Sequence, residues 1–245
     1  MRQEDHPTRS EVRYRFQAAG RSIKKRWERT PLENPFALAQ RPVVFLDLET
    51  TGLRAATDRI IEIGAVRWDQ YGRRTYARIV NPGVRVPPYI TRLTGITPEM
   101  VASGPPIEIA LREFFSEFLS DEPVIVAHNA PFDLGFLDAE LGRLGLPSPY
   151  PGPVACTLRL SRRYVPTPTG RHRLQDVAAA LSIPLDRGHR ALADVEACER
   201  IFMALWPVIS RGRRMPWRRR GLAAWWPLRE RPVAGPEGQG RASPT

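Results

Sequence analysis

The chain has two acidic side chains at the end of an apolar segment, where their spacing would let them share a cation. Val43 to Leu46 are all apolar and include two β-branched residues, which predicts a buried β-strand. Because side chains alternate across a strand, Asp47 and Glu49 share one face and lie about 6–7 Å apart along it. Two anions buried this close repel each other and resist dehydration, so a fold accepts them when a cation lies between them. A solvated strand end is the alternative for this pair alone.

Two further acids fall on the apolar faces of predicted helices. Asp133 lies on the apolar side of a helix predicted over 131–144, directly after a predicted buried strand. Asp194 lies within the apolar stripe of a helix predicted over 190–205. Carboxylates at core-facing positions need a partner, and ligands of open α/β sheets bind beyond the carboxyl ends of the strands. We therefore expect four carboxylates to converge: Asp47, Glu49, Asp133 and Asp194.

The chemistry of such a cluster is that of hard divalent cations. Carboxylate oxygens suit Mg²⁺ or Mn²⁺ and not zinc, and the two cysteines have no zinc-type spacing. Four acids exceed what one Mg²⁺ takes, so two ions about 3.5–4 Å apart are expected, an arrangement that serves phosphoryl chemistry. His189 lies five residues before Asp194, and its near-neutral pKa would make it a general base. A capping or surface role is the alternative for this histidine.

The elements that must position these residues alternate in type along the chain. Strands are predicted at 43–49, 59–68, 74–80 and 123–128, with a last strand or its remnant at 154–158, and helices at 106–119, 131–144, 173–181 and 190–205. The short turn at 69–72 makes the second and third strands an antiparallel hairpin. The apolar run at 123–128 predicts a buried strand parallel to the first, and the prolines near position 87 mark a loop. This alternation predicts a layered α/β sheet with helices on both faces.

Three segments together carry a family resemblance. They are Asp47-Leu-Glu-Thr-Thr-Gly52, His128-Asn-Ala-Pro-Phe-Asp133 and His189-Arg-Ala-Leu-Ala-Asp194. In this order they resemble the three motifs of the DEDDh 3′–5′ exonucleases, which include the proofreading (epsilon) subunit of bacterial DNA polymerase III and free-standing relatives. The similarity runs from about residue 43 to residue 205. It implies a ribonuclease H-like α/β fold, in which a five-stranded mixed sheet with an antiparallel second strand is flanked by helices.

The resemblance also implies a role for each residue of the cluster. Asp47 would bridge two Mg²⁺ (or Mn²⁺) ions, while Glu49 and Asp194 would hold the ion that carries the attacking water. Asp133 would support the second ion, partly through water. His189 would take the proton from the attacking water, and the products would be nucleoside 5′-monophosphates released from a 3′ end.

Substrate contacts follow from the same resemblance. They are expected at Thr50, Thr51, Leu53, Thr94, Asn129 and Phe132. The first three would cradle the terminal nucleotide, Asn129 would bond phosphate or orient its loop, and Phe132 would pack near the bases. Thr94 departs from the family pattern, since several relatives place a substrate-contacting histidine at this position.

The net charge of +11 is confined to the two ends of the chain. Residues 1–41 have ten Lys and Arg against five acids, residues 207–245 have nine Arg against two acids, and 42–206 keep 18 basic and 19 acidic residues. We expect a basic N-terminal extension over 1–41, an exonuclease domain over 42–206, and a partly disordered Arg/Trp/Pro-rich tail over 207–245. Basic flanks fit a nucleic-acid backbone or an anionic lipid surface, or they act as solubilising tails.

Each flank offers a specific pattern. Apolar residues at helical spacing predict a basic amphipathic helix near the N-terminus: Val12, Phe16, Ala19, Ile23 and Trp27. That helix would pack on the main domain, bind a partner, or lie on a phosphate backbone. The tail has six Arg within 211–220 and three tryptophans, a mixture typical of single-strand binders. It would equally dock a partner or a lipid surface.

Composition narrows the functional classes. Two cysteines cannot build a disulfide framework, the N-terminus lacks the apolar region of a secretory signal, and no apolar run spans a bilayer, so a cytoplasmic protein is expected. The leading hypothesis is a metal-dependent 3′–5′ exonuclease on single-stranded DNA ends, acting in proofreading or repair, either alone or with a DNA polymerase subunit. An exonuclease that trims RNA or degrades oligoribonucleotides is the second hypothesis. A non-catalytic nucleic-acid-binding module is the third, which the intact set of acids disfavours.

Overall fold

A five-stranded mixed sheet forms the centre of the molecule. The computed structural model describes residues 39, 41–146, 153–185 and 190–210. The strands are β1 (Val43–Thr50), β2 (Ile60–Asp69), β3 (Gly72–Ile79), β4 (Val124–Ala127) and β5 (Val154–Cys156), in the order β3-β2-β1-β4-β5. β2 pairs antiparallel with β1 and β3, while β4 pairs parallel with β1 and β5. The predicted α/β class, hairpin and antiparallel second strand are therefore confirmed.

Helices cover both faces of this sheet. They are α1 (Pro88–Thr94), α2 (Pro98–Ala102), α3 (Ile107–Phe114, followed by a π-helical turn over Phe115–Leu119), α4 (Ala130–Arg143), α5 (Thr157–Tyr164), α6 (Leu174–Ala180) and α7 (Ala191–Ser210). Among the described residues, no helix has the combination of length and apolarity that crossing a bilayer requires. The amphipathic helix predicted near the N-terminus and the arginines of the tail lie outside the described residues.

The alternation of side chains along β1 divides the core in two. Val44, Leu46 and Leu48 point to one side and belong to a cluster with residues of α3 and α4. Val43 and Phe45 point to the other side and pack against α7, where Phe45 meets Phe202 edge to face with ring centroids 5.7 Å apart. Because Asp47 and Glu49 continue the second set, β1 presents both carboxylates on the side of the sheet that α7 covers.

Some helices lie where the sequence predicted none, and one is longer than predicted. α5 (Thr157–Tyr164) begins within the strand predicted at 154–158, which ends at Cys156. Residues 88–94 form α1, with Pro88 at its first position, where the sequence suggested only a loop. α7 continues through Pro207 to Ser210 instead of ending near residue 205. Buried contacts of Trp206 and Ile209 with the core hold this last turn in place despite the proline, which removes a backbone donor.

Candidate active site

Three carboxylates meet where the first strand and the last helix come together. Asp47 and Glu49 lie near the C-terminal end of β1, beyond the last residue that β1 pairs with β4. Asp194 lies in the first turn of α7, which packs on the same face of the sheet. Each of the three residues offers a carboxylate oxygen, and these oxygens lie within 4.8 Å of one another. The structure thus brings together three of the four acids at the spacing of a shared cation.

Asp133 reaches the same region from α4. It lies in the first turn of this helix and is buried, with 2% of its surface exposed. Burial raises its pKa well above the usual range, and the charge of Glu49 raises it further, while nearby backbone N–H groups of Asp133 and Leu48 oppose the shift. Asp133 is not one of the three residues whose oxygens lie within 4.8 Å, so it stands at the margin of the cluster.

The cluster is electrostatically costly without a cation. Burial raises the pKa of Asp47 well above its usual range, and the negative charges of Asp133 and Asp194 raise it further. Burial, followed by the charge of Asp194, raises the pKa of Glu49 to about 8. Both shifts mean that the folded protein resists full ionisation of the site at neutral pH.

This donor set fits hard divalent cations. All the converging ligand atoms are carboxylate oxygens, which Mg²⁺ and Mn²⁺ prefer. A divalent cation would offset the repulsion that raises these pKa values. Asp47, Glu49 and Asp194 are therefore the residues that could hold a metal ion, with Asp133 close enough to contribute charge.

A buried glutamate beside the cluster was missed in the sequence. Glu62 lies in β2 directly opposite Glu49 and is 1% exposed. It accepts hydrogen bonds from the Arg190 guanidinium and from the backbone N–H of Ala191, the first residue of α7. An acid within the otherwise apolar sequence Ile60-Ile-Glu-Ile63 is the signal that could have identified it.

Residues 44–202 match the model of the RNase T exonuclease family. The chain belongs to this exonuclease family. The resemblance to the DEDDh 3′–5′ exonucleases, stated from the three motifs, is confirmed by this match and by the relatives described next. Members of the family depend on divalent metal ions, which agrees with the acidic cluster found here.

Curated relatives match this chain with only part of their own length. The chain is 40% identical over 184 residues to a Mycobacterium tuberculosis protein named as a bifunctional exonuclease/endonuclease. The aligned region covers 72% of this chain and 28% of the relative. It is also 40% identical over 164 residues to the PolC-type DNA polymerase III of Staphylococcus aureus, covering 66% of this chain and 11% of the polymerase. The shared region is therefore an exonuclease unit that occurs within longer proteins.

Solved exonuclease structures share the fold. Exonuclease X, solved in complex with 5′-overhanging duplex DNA, is 25% identical with a TM-score of 0.52, over 69% of this chain and 92% of that one. E. coli exonuclease I, solved with a dT13 oligonucleotide, is 22% identical with a TM-score of 0.62, over 70% of this chain and 42% of that one. At this identity the likeness to exonuclease I shows the fold alone.

The exonuclease motif that contains His189 is only partly visible. His189 lies outside the described residues, so its expected role as general base stays a prediction. Its neighbour Arg190 is described and is bonded to Glu62, and its charge lowers the pKa of Glu49 against the larger effects that raise it. Asp194 of the same motif is in place beside Asp47.

The loop after β1 is fixed by its own hydrogen bonds. Thr51 donates its N–H to the Arg59 carbonyl at 2.8 Å and accepts the Arg59 N–H on its hydroxyl at 2.9 Å. The Thr50 hydroxyl is buried and donates to the Gly52 carbonyl. Leu53 follows with 84% of its surface exposed, as a residue available to a nucleotide would be. Contact of these three residues with substrate stays a prediction.

The other expected substrate contacts have mixed surroundings. Asn129 is exposed and adopts a left-handed conformation (φ 78°) directly before α4, while Phe132 packs on Phe136 with ring centroids 4.9 Å apart. Thr94 is 3% exposed, and its hydroxyl donates to the Ile90 carbonyl and accepts the Ile96 N–H. The structure therefore gives Thr94 a role in holding the end of α1, and its contact with substrate stays a prediction.

Proposed function

We propose that this chain is a divalent-metal-dependent 3′–5′ exonuclease that removes nucleoside 5′-monophosphates from the 3′ ends of single-stranded DNA. The observation that carries the proposal is the convergence of Asp47, Glu49 and Asp194, whose carboxylate oxygens lie within 4.8 Å of one another. Membership of the exonuclease family supports the reaction class, and the likeness to exonuclease X, which was solved with 5′-overhanging duplex DNA, supports DNA as the substrate.

The residues divide the reaction between them. Asp47, Glu49 and Asp194 would hold two Mg²⁺ or Mn²⁺ ions, with Asp133 supporting them. When bound, the ions polarise the scissile phosphate and stabilise the charge that develops on the leaving oxygen. His189 accepts the proton of the attacking water on an imidazole nitrogen as the new oxygen–phosphorus bond forms and the bond from phosphorus to the 3′-oxygen breaks. The nucleoside 5′-monophosphate leaves with the phosphate.

Substrate positioning falls to the loops around the carboxylates. Thr50, Thr51 and Leu53 cradle the terminal nucleotide, and the double hydrogen bond between Thr51 and Arg59 makes this loop rigid before substrate arrives. Asn129 lies at the start of α4, where backbone N–H groups favour a phosphate. Phe132 packs near the bases.

The exonuclease domain is proposed to extend over 42–206, with the basic segments 1–41 and 207–245 as extensions. The likeness to PolC-type polymerases supports a role in DNA replication or repair, with a DNA polymerase subunit as the proposed partner. A cytoplasmic location agrees with such a role. Deletion of 211–245, which leaves α7 intact through Ser210, should reduce the salt dependence of DNA binding, and an unchanged slope would remove the tail from nucleic-acid binding.

A labelled-substrate assay tests the proposal. Single-stranded DNA, single-stranded RNA and a 3′-mismatched duplex, each labelled at the 5′ end, are incubated with Mg²⁺ or Mn²⁺ and the wild-type protein. The proposal expects a ladder that shortens from the 3′ end of the DNA, absent with Asp47→Asn and unchanged with the surface control Glu108→Gln. Release of the 5′ label as a mononucleotide would contradict the direction. Equal or faster shortening of RNA would assign the chain to the RNA-trimming class.

A further inference from the structure

An ion pair between the buried Glu62 and the half-exposed Arg190 joins the sheet to the start of the helix that carries Asp194. Oε1 of Glu62 accepts a hydrogen bond from Nη2 of Arg190 at 2.7 Å, and Nε of Arg190 lies 3.1 and 3.2 Å from the two carboxylate oxygens. Oε2 also accepts the backbone N–H of Ala191 at 3.0 Å. Both oxygens of Glu62 are therefore engaged by the first residues of α7 and the residue before them.

A glycine brings the same helix start into contact with β2. Gly64 lies two residues after Glu62 on the same face of the strand, opposite Asp47 of β1. A Cβ added at Gly64 would lie 2.5 Å from the carbonyl carbon of Ala191, closer than any side chain can approach. The first turn of α7 thus lies directly on the backbone of β2, with Glu62 bonding its leading end.

These contacts fix where Asp194 lies. Asp194 is three residues after Ala191, so a shift of the helix start moves its carboxylate by a similar amount. The ligands of a metal site must be held within about 0.5 Å of their binding geometry. Residues that orient a ligand contribute about 10- to 100-fold to metal affinity. Glu62 also lies opposite Glu49 and raises its pKa, so its presence beside the cluster carries an electrostatic cost that a purely structural contact would avoid.

We propose that Glu62 and Arg190 form a positioning pair of the exonuclease site. The pair holds the first turn of α7 on β2 so that the carboxylate of Asp194 meets those of Asp47 and Glu49 around the metal. Glu62 acts through the helix and not as a ligand, because Arg190 and Ala191 occupy its oxygens. This inference rests on the proposed function, since it concerns the metal ions of that same site.

The chain provides a matched control on the same helix. Glu199 is also in α7, is also 1% exposed, and also pairs with an arginine, since Nη2 of Arg73 lies 3.0 Å from its Oε2. Trp68 of β2 is a second donor to Glu199, and Arg73 belongs to β3. Glu199 therefore bonds α7 to β2 and β3, whereas Glu62 bonds the start of α7 to β2. Glu199 lies more than a full turn beyond Asp194, and it anchors the helix away from the carboxylates.

The experiment compares Glu62→Gln with Glu199→Gln. Mn²⁺ affinity is measured by electron paramagnetic resonance titration of the protein without nucleic acid, alongside the melting temperature. Glu62→Gln keeps an oxygen for the Ala191 N–H and removes the charge that binds Arg190. We expect it to raise the Mn²⁺ Kd about 10- to 100-fold, while Glu199→Gln stays within about twofold of wild type although both variants melt at lower temperature.

Kinetics provide a second readout that a general loss of stability would not change. At limiting Mn²⁺, Glu62→Gln should lower kcat with the KM for single-stranded DNA unchanged, and excess Mn²⁺ should restore most of the rate. Arg190→Gln should have the same effect as Glu62→Gln, and the double variant should be no worse than either single one. If Glu62→Gln does not fold, the partly exposed Arg190→Gln alone decides.

The possible outcomes separate this inference from the proposed function. A wild-type protein that binds no Mn²⁺ would overturn the proposed function and this inference with it. A wild type that binds Mn²⁺ and degrades DNA, with Glu62→Gln and Arg190→Gln unaffected in Mn²⁺ Kd, would overturn only the positioning pair. Equal losses of Mn²⁺ affinity in Glu62→Gln and Glu199→Gln would also overturn it, because the effect would then follow from general loosening of α7.

Discussion

Replacing Glu49 with glutamine should destroy activity and stabilise the metal-free protein. Burial and the charges of Asp194 and Glu62 raise the pKa of Glu49 from its ordinary value of 4.5 to about 8. The folded state therefore holds a proton that the unfolded chain releases, and ionising Glu49 works against folding. Glutamine has nearly the same shape without the charge, so Glu49→Gln removes this penalty together with a metal ligand.

The size of the effect follows from the shift. Each pKa unit corresponds to about 1.4 kcal/mol, and pH 7 is about 2.5 units above the ordinary pKa, which gives a ceiling of about 3 kcal/mol. Glu49 is only partly buried, so solvent screening reduces the expected gain to about 1–2 kcal/mol, or about 2–8 °C in Tm. The penalty is absent below pH 4.5, grows as the pH rises from 4.5 to about 8, and is constant above that.

Thermal melts with chelator, from pH 5 to pH 8.5, measure this prediction. The wild type should lose stability across that range, Glu49→Gln should lose less, and saturating Mg²⁺ should stabilise the wild type most at the alkaline end. Glu108→Gln, on the exposed surface of α3, is the control and should follow the wild type. A Glu49→Gln protein that melts below the wild type at pH 8 without metal, or that keeps its nuclease activity, would refute the reasoning.

Three further predictions test the surroundings of the site. Gly64→Ala should lower the free energy of unfolding by about 1–3 kcal/mol and reduce kcat, because the added Cβ would lie 2.5 Å from the backbone of Ala191. Chemical denaturation measures the stability and single-turnover kinetics the rate, and an unchanged kcat would contradict the prediction. Glu140→Ala should lower the free energy of unfolding by about 2 kcal/mol and raise the KM, because it leaves Arg59 beside the substrate loop without its carboxylate partner. Urea denaturation measures the stability, and an unchanged midpoint would contradict the prediction. His189→Ala should lower kcat by about 10²–10⁴-fold and remove the acidic limb of the pH–rate profile, and a retained limb would assign the proton transfer to another group.

The fold was predictable because its periodic signals are strong. The four apolar residues before Asp47 define β1, and alternation along that strand places Asp47 and Glu49 on one face, as the structure shows. Asp194 lies in the first turn of α7 and faces the same side of the sheet, as helical periodicity in the sequence predicted. Local spacing is sufficient to place these residues, since the apolar pattern of each element identifies its buried face.

The remaining features depend on contacts between distant segments. Glu62 and Arg190 are 128 residues apart, and the pattern of neither segment reveals that the start of one meets the side of the other. The need for glycine at position 64 likewise follows only from the packing of α7 on β2. The continuation of α7 through Pro207 depends on burial of Ile209, which outweighs the local preference of proline. Periodicity identifies faces, whereas register between elements requires the assembled fold.

Anomalous diffraction from crystals soaked in Mn²⁺ and a nucleoside 5′-monophosphate would test the central claim most directly. The claim is that carboxylates from β1, α4 and α7 hold divalent ions at the scissile phosphate. The expected result is anomalous density bounded by Asp47, Glu49 and Asp194, with the phosphate of the nucleotide against it. Saturating Mn²⁺ with no anomalous density among these three carboxylates would contradict the claim.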